Sequence, residues 1–331
     1  MLNYLRLVRY PNLLIIILTQ YAIRWGVVEP LLNVTGFELQ LSSFHFLLLV
    51  LSTVFITAAG YVINDYFDTH TDFLNRPRKV LVGTKIPRRT AIMLHVILSI
   101  VGTGLGIYVS FVIGIPLLGL VFLLITGILY FYSTTYKRQF LIGNFIVAIL
   151  TGLVPLMVVL FEIPELNNAY WDVLGARDMN FMFVFYWVLA FAFFAFVTNL
   201  MREIVKDAQD FEGDSAYGRN SLPVVMGIKA TKVVVNFLAA VTVALLWFVY
   251  ARFLEFNVIT TIYFTVFISI PFVLVIYKTY QATTTIHFRR IGILLKIIML
   301  FGILYAFIAR FLFYHNHDLF FLNKIFQVFP Q

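Results

Sequence analysis

The sequence predicts an all-α membrane protein of nine transmembrane helices. Three observations carry that expectation: the composition, nine long apolar stretches, and the alternation of basic residues between them. Of 331 residues, 61% are hydrophobic and 12% charged, against roughly 25% charged in a soluble domain. The mean hydropathy of +0.93 suits a chain solvated by lipid. Stretches long enough to span, at about 20 apolar residues each, run roughly over 12–31, 44–63, 90–110, 113–132, 141–161, 181–200, 231–251, 258–277 and 292–313. The third and fourth are parted only by the segment around Gly114 and Pro116. MLNYLRLVRYPN has a positive start, but the apolar run continues from Leu13 to about Val28 without a small-residue cleavage site. It reads as a retained first helix, not a signal peptide. No linker divides the chain, so residues 1–331 are expected to form a single polytopic membrane domain with two Asp-rich cytoplasmic segments, 64–79 and 202–214.

Basic residues set the expected orientation. Arg6, Arg9, Arg76, Arg78, Lys79, Lys85, Arg88, Arg89, Lys137, Arg138, Arg202, Lys206, Arg219, Lys229, Lys232, Lys278, Arg289, Arg290 and Lys296 fall in alternate inter-helix segments or at the stretch ends that border them. The other set holds Arg24, Arg177, Arg252, Arg310 and Lys324. By the positive-inside rule the first set is cytoplasmic, with the N-terminus inside and the C-terminus outside a cell membrane crossed many times. The net charge of +8 is then a matter of topology and anionic membrane lipids, and no nucleic acid is expected as a partner. Without cysteine, disulfides, thiolate metal sites and cysteine nucleophiles are excluded.

Two segments break the apolar pattern. NDYFDTHTD (Asn64 to Asp72) ends the second stretch, and REIVKDAQDFEGD (Arg202 to Asp214) ends the sixth. Asp65, Asp68 and Asp72 are spaced three and four apart, as are Asp207, Asp210 and Asp214. On a helix such positions fall within an arc of about 60°; Gly213 bears on whether Asp214 keeps that face. Both segments follow even-numbered helices and so emerge on one side. Asp is common at solvated helix ends, but the repeated spacing at equal topological parity argues for a site. Clustered carboxylates in so uncharged a chain call for a cation. Mg²⁺ prefers oxygen and binds through one or two carboxylates plus substrate phosphates. The six His residues form no ligand-spaced cluster. Arg76, Arg78, Lys79, Lys137, Arg138, Arg202 and Lys206 flank the acids and suit a polyanion.

NDYFDTHTD followed by LNRP, and REIVKDAQDFEGD followed by Gly218, Leu222, Pro223 and Gly227, resemble the two signature regions of the UbiA-type intramembrane prenyltransferases. YSTTYKR, Tyr132 to Arg138, is similar to the family's Tyr-Ser…Lys region after the fourth helix. The resemblance covers most of the chain. It implies nine helices around a central cavity that the two motifs cap on the cytoplasmic side. It implies that Asn64, Asp65, Asp68, Asp72, Asp210 and Asp214 hold Mg²⁺ and the diphosphate of a prenyl donor, with Lys137 and nearby Arg on the phosphates. Asp207 extends the second acidic set. Asp65, Asp68, Asp210, Asp214 and Lys137 are then the expected catalytic residues. Asn64, Arg76, Arg78, Lys79, Tyr132, Arg138, Arg202 and Lys206 are the expected donor-binding residues. Asp65, Asp68, Asp72, Asp207, Asp210 and Asp214 are the expected metal ligands.

Within the family the motifs are most similar to the archaeal ether-lipid branch, which is expected to join a geranylgeranyl group to the free hydroxyl of geranylgeranylglyceryl phosphate. One departure concerns the acceptor: the chain reads NRPRKVLVGTK where that branch usually has NRPxRPIPSG. The expected chemistry is loss of diphosphate from an allylic carbon, with Mg²⁺ and Lys or Arg neutralising the leaving group, and attack by a lipid-soluble acceptor in an apolar, water-excluding cavity. Tyr66 and Tyr132 stand beside the motifs and could shield the cation. Asn199 could be a polar wall or a helix-end residue. Aromatic, quinone-precursor and haem prenyltransfer are the alternatives inside the family. A transporter is the non-enzyme alternative, but it should place its acids near the bilayer midplane rather than at helix ends. The Asp-Gly and Ala-Arg motif of the alcohol phosphatidyltransferases is missing from both segments.

Overall fold

The computed structural model describes residues 2–75, 80–177, 180–254 and 257–315. Among them, nine helices are long and apolar enough to cross a membrane. They are α1 (Tyr10–Thr35), α2 (Ser43–Phe67), α3 (Arg88–Val112), α4 (Pro116–Thr134), α5 (Ile142–Ala169), α6 (Met182–Gln209), α7 (Leu222–Phe253), α8 (Val258–Gln281) and α9 (Thr285–His315). No strand occurs among the described residues; one isolated bridge joins Val82 and Ile86. This is the all-α, nine-helix membrane protein that the hydropathy predicts. All but α4 are longer than their apolar stretches. α6 runs through the acidic segment as far as Gln209, and α7 begins at Leu222 and breaks at Gly227 before the apolar stretch starts.

The chain forms two compact units. Unit 1 comprises Met1–Leu18, Ser42–Leu150 and Asp210–Ile228. Its α2 is capped by Ser42, whose side chain accepts from His45 N–H, a preferred N-cap arrangement. α2, α3 and α4 then pack through small and polar residues, as helices in lipid do. Ser52 Oγ donates to Gly102 O at 2.6 Å, and the Thr103 and Thr126 hydroxyls meet at 2.9 Å. Gly106 is required by close approach: a Cβ there would stand 2.4 Å from the Phe122 ring.

Unit 2 comprises Thr19–Leu41, Thr151–Gln209 and Lys229–Gln331. α1 widens into a π turn at Arg24–Val28. There the buried Arg24 reaches the buried Glu162 of α5 at 3.3 Å and donates to Leu41 O. Glu162 also accepts from Gln40 N (2.6 Å) and Leu41 N (3.0 Å), which ties down the extended segment before α2. Arg24, a charge that interrupts the first apolar stretch in the sequence, is therefore compensated from 138 residues away. α6 and α9 run side by side: a Cβ on Gly302 would overlap the Phe194 ring, and one on Gly292 would meet Val205 at 4.0 Å.

Removing one partner of a buried ion pair costs about 3–5 kcal/mol, far more than replacing both. Arg24→Met is therefore expected to lower the thermal midpoint in detergent strongly. Arg24→Met with Glu162→Gln, which keeps an acceptor for Gln40 and Leu41, should recover at least half of that loss. Equal midpoints for the two variants would contradict this reading of the pair.

Candidate active site

Each acidic segment bends at its middle aspartate. α2 ends at Phe67 with Asp68 as its C-cap (φ −86°, ψ 1°), and a short helix, Thr69–Asn75, follows. α6 ends at Gln209, Asp210 takes the same conformation (φ −97°, ψ 13°), and the short helix Phe211–Ala216 follows. Both sit in the bridge region of backbone space, where many active-site residues lie. The single continuous helical face suggested by the spacing is therefore replaced in each motif by two helices hinged at Asp68 or Asp210. At the first hinge Thr69 Oγ1 bonds to the Asp65 and Tyr66 carbonyls (3.3 and 3.0 Å), a local alternative that competes with the helix.

The two short helices pack against each other within unit 1. Asp68 and Asp214, one from each motif, are 7% and 2% exposed. One guanidinium serves both. Arg219 Nη2 donates to Asp68 Oδ1, and its Nη1 reaches Asp214 Oδ1 at 3.3 Å. Arg219 Nη2 also lies 3.4 Å from Thr71 Oγ1. The Lys137 ammonium adds a second cation, 2.9 Å from Asp68 Oδ1 and 3.4 Å from Asn64 Oδ1. Burial opposes the charge on Arg219, but Asp68 and Asp214 outweigh it and hold the guanidinium above its usual pKa. Tyr132 lies close enough to add to that effect. Gly218 makes the arrangement possible. Its φ of +66° reverses the chain after Phe211–Ala216, and Arg219 N–H then bonds to Asp214 O at 2.9 Å, as at a glycine C-cap.

Asp65 is paired separately with Arg9 at 2.7 Å. Arg9 is a non-glycine residue at φ +53°, and its guanidinium covers Tyr61 at 4.8 Å. Burial opposes its charge and Asp65 outweighs this, so its pKa also rises. Arg138 accepts Asn220 N–H at its carbonyl (3.0 Å), tying the loop after α4 to the turn that carries Arg219. Tyr66 is covered by the Arg88 guanidinium at 4.2 Å. Asp72 lies on the Thr69–Asn75 helix. Asp207, Arg202 and Lys206 belong to unit 2, where Arg202 Nη1 and Lys206 Nζ meet Glu203 at 2.6 and 3.3 Å. Arg76, Arg78 and Lys79 lie outside the described residues.

The sequence reading passed over three groups. Arg219 carried a signal, since it follows Asp214 by five residues beside Gly218. Arg9 and Glu203 carried none beyond charge.

A hard divalent cation fits this donor set. The ligands on offer are carboxylates and an amide oxygen, the donor types that Mg²⁺ prefers. Among the described residues no three His, Asp or Glu side chains close on one point, so the expected metal ligands are not gathered into one cluster.

Residues 36–297 match the UbiA prenyltransferase family. The chain belongs to that family, and it is an enzyme of its class, a prenyltransferase. It is similar to the digeranylgeranylglyceryl phosphate synthase of Methanosphaera stadtmanae, at 30% identity over 77% of this chain and 83% of that protein. The synthase of the same name from Sulfolobus acidocaldarius is 30% identical over 72% and 78% of the two chains. Among solved structures, one described as a digeranylgeranylglyceryl phosphate synthase in membranes matches with a TM-score of 0.57 and 27% identity, covering 93% of this chain and 97% of that one. A UbiA homologue from Archaeoglobus fulgidus bound to GPP and Mg²⁺ shares the fold, with a TM-score of 0.56 at 18% identity over 92% and 99% of the chains.

A metal ion at Asp68 and Asp214 would have to displace Arg219 from both carboxylates. Arg219→Met is therefore expected to raise the apparent affinity for Mg²⁺ while raising KM for a prenyl diphosphate about tenfold or more, the effect of losing one charge-assisted contact. Steady-state assays over a Mg²⁺ titration measure both; a parallel weakening of metal and substrate would refute the competition.

Proposed function

We propose that the chain acts as one polytopic membrane domain that transfers a geranylgeranyl group from its diphosphate to geranylgeranylglyceryl phosphate, in ether lipid synthesis. The observation that carries this reading is the meeting of Asp68 and Asp214, from two motifs 146 residues apart, on one guanidinium beside Lys137. Asn64, Asp65, Asp68, Asp72, Asp210 and Asp214 would hold Mg²⁺, with Asp207 extending the set. When bound, the ion supplies charge neutralisation to the leaving diphosphate. Lys137 and Arg219 face the same oxygens and stabilise the charge that develops as the allylic C–O bond breaks. Their burial makes this worth more than it would be in water. Arg138 would add a further cation, and Tyr132, which lies near Arg219, a phenol hydroxyl, to the donor side of the site. The acceptor hydroxyl oxygen then forms the new C–O bond as its proton passes to the departing diphosphate.

Two further features support lipid substrates. An apolar cavity of about 470 Å³ lies within unit 2, walled by Trp187, Phe191, Phe194, Val249, Phe264 and Tyr305 among others, which suits an isoprenoid chain. The relatives named as digeranylgeranylglyceryl phosphate synthases also favour this acceptor over an aromatic one. The inter-helix segments rich in Lys and Arg support a cytoplasmic N-terminus and a site at the cytoplasmic face of the cell membrane.

Asp68→Ala or Asp210→Ala is expected to lower prenyl transfer at least about a hundredfold, and EDTA should abolish it until Mg²⁺ is restored. The check is mass spectrometry of products from purified protein given geranylgeranyl diphosphate with lipid-phosphate and aromatic acceptors in parallel. Substantial activity in either variant would sink the metal assignment, and exclusive use of the aromatic acceptor would sink the acceptor assignment.

A further inference from the structure

Lys296 groups by sequence with the cytoplasmic basic residues, but it lies four residues inside the apolar stretch of α9 that opens near residue 292, roughly 6 Å past its start. A charge within the apolar part of a spanning helix is costly and marks function by default. Its neighbourhood in unit 2 is unusual. Asn199, Arg202, Glu203 and Lys206 recur at three- and four-residue intervals on α6 and so share one stripe. The contacts of Gly302 with Phe194 and of Gly292 with Val205 set α9 antiparallel beside α6, which brings Lys296 level with Arg202. Glu203, 6% exposed, gathers the Arg202 guanidinium and the Lys206 ammonium. Asn199 is 4% exposed, and its Nδ2 is a buried donor without an acceptor among the described residues. An unmade hydrogen bond at such a group costs about 1–3 kcal/mol, so the donor points to an acceptor supplied from outside the chain.

We propose that this stripe, Asn199, Arg202 and Lys206 on α6 with Lys296 on α9, is an anion site that takes the phosphate monoester of the acceptor lipid. Glu203 is a positioning residue that holds Arg202 and Lys206 in place. The inference rests on the acceptor class proposed above. Charge separates this site from the one in unit 1. There carboxylates predominate among the motif residues and a metal is needed to bring in a polyanion. Here three cations stand against Glu203 and Asp207, so a phosphate of charge near −2 binds without metal. Arg202 and Lys206, expected from sequence to hold the donor diphosphate, are thereby assigned to the other substrate.

The test uses the full chain in lipid nanodiscs with Mg²⁺, geranylgeranyl diphosphate, and either geranylgeranylglyceryl phosphate or its dephosphorylated alcohol as acceptor. Lys296→Gln and Asn199→Ala are each expected to raise KM for the phosphorylated acceptor about tenfold, the scale of one lost charge-assisted contact. The donor KM should stay within about twofold, and the preference for the phosphorylated acceptor over the alcohol should narrow by the same factor. Lys296→Arg should restore most of the loss. Equilibrium binding of geranylgeranylglyceryl phosphate to the unaltered protein should also survive EDTA. An unchanged acceptor KM, a rise in donor KM instead, or loss of acceptor binding in EDTA overturns the anion site alone. Failure of the unaltered enzyme to use the lipid phosphate at all overturns the acceptor reading and the anion site with it.

Discussion

Two carboxylates withdrawn from water need cations, and unit 1 is organised around that requirement. Asp68 and Asp214 are almost fully buried. Leaving either unpaired would cost several kcal/mol. Arg219 and Lys137 meet the demand, and the local backbone follows from placing them. The hinges at Asp68 and Asp210 turn the short helices toward each other, and Gly218 returns the chain so that Arg219 reaches both motifs. The Arg138 carbonyl then locks the Lys137 loop to that turn. In the proposed reaction the cations that balance Asp68 and Asp214 are the ones a diphosphate would draw onto itself, so stability and substrate binding would compete for the same groups.

Much of this was legible in the sequence because its signals are periodic. Apolar stretches near 20 residues located all nine helices, and the three-and-four spacing of aspartates located both motifs. Lys137 stood out beside them. What escaped was set by turns and by partners distant along the chain. Helical periodicity carries through Asp68 and Asp210 without registering that the backbone breaks there. Arg219 reaches Asp68 across 151 residues through a reversal that only Gly218 hints at. Arg24 reads as an interruption of an apolar run until Glu162 appears opposite it. Lys296 counted as a loop charge because charge counting takes no account of depth along a helix.

The comparisons and the chemistry converge on prenyl transfer, and the division of charge gives that activity a physical shape. In unit 1 the buried pair Asp68 and Asp214 is matched by Arg219 and Lys137, an arrangement suited to exchanging those cations for metal and phosphate. Unit 2 places cations along one stripe of α6 and on α9 around the buried carboxylate of Glu203, and buries a second carboxylate, Glu162, against Arg24. A chain that is only 12% charged thus keeps its buried charge in a few sets, each with its own balance of sign.

The most direct test of this account is an experimental structure of the protein with Mn²⁺ and an unreactive geranylgeranyl diphosphate analogue, the metal located by anomalous scattering. The account predicts the ion on Asp68 together with diphosphate oxygens, and Arg219 and Lys137 shifted from the carboxylates onto the phosphates. A diphosphate bound elsewhere, with Arg219 still bridging Asp68 and Asp214, would contradict it.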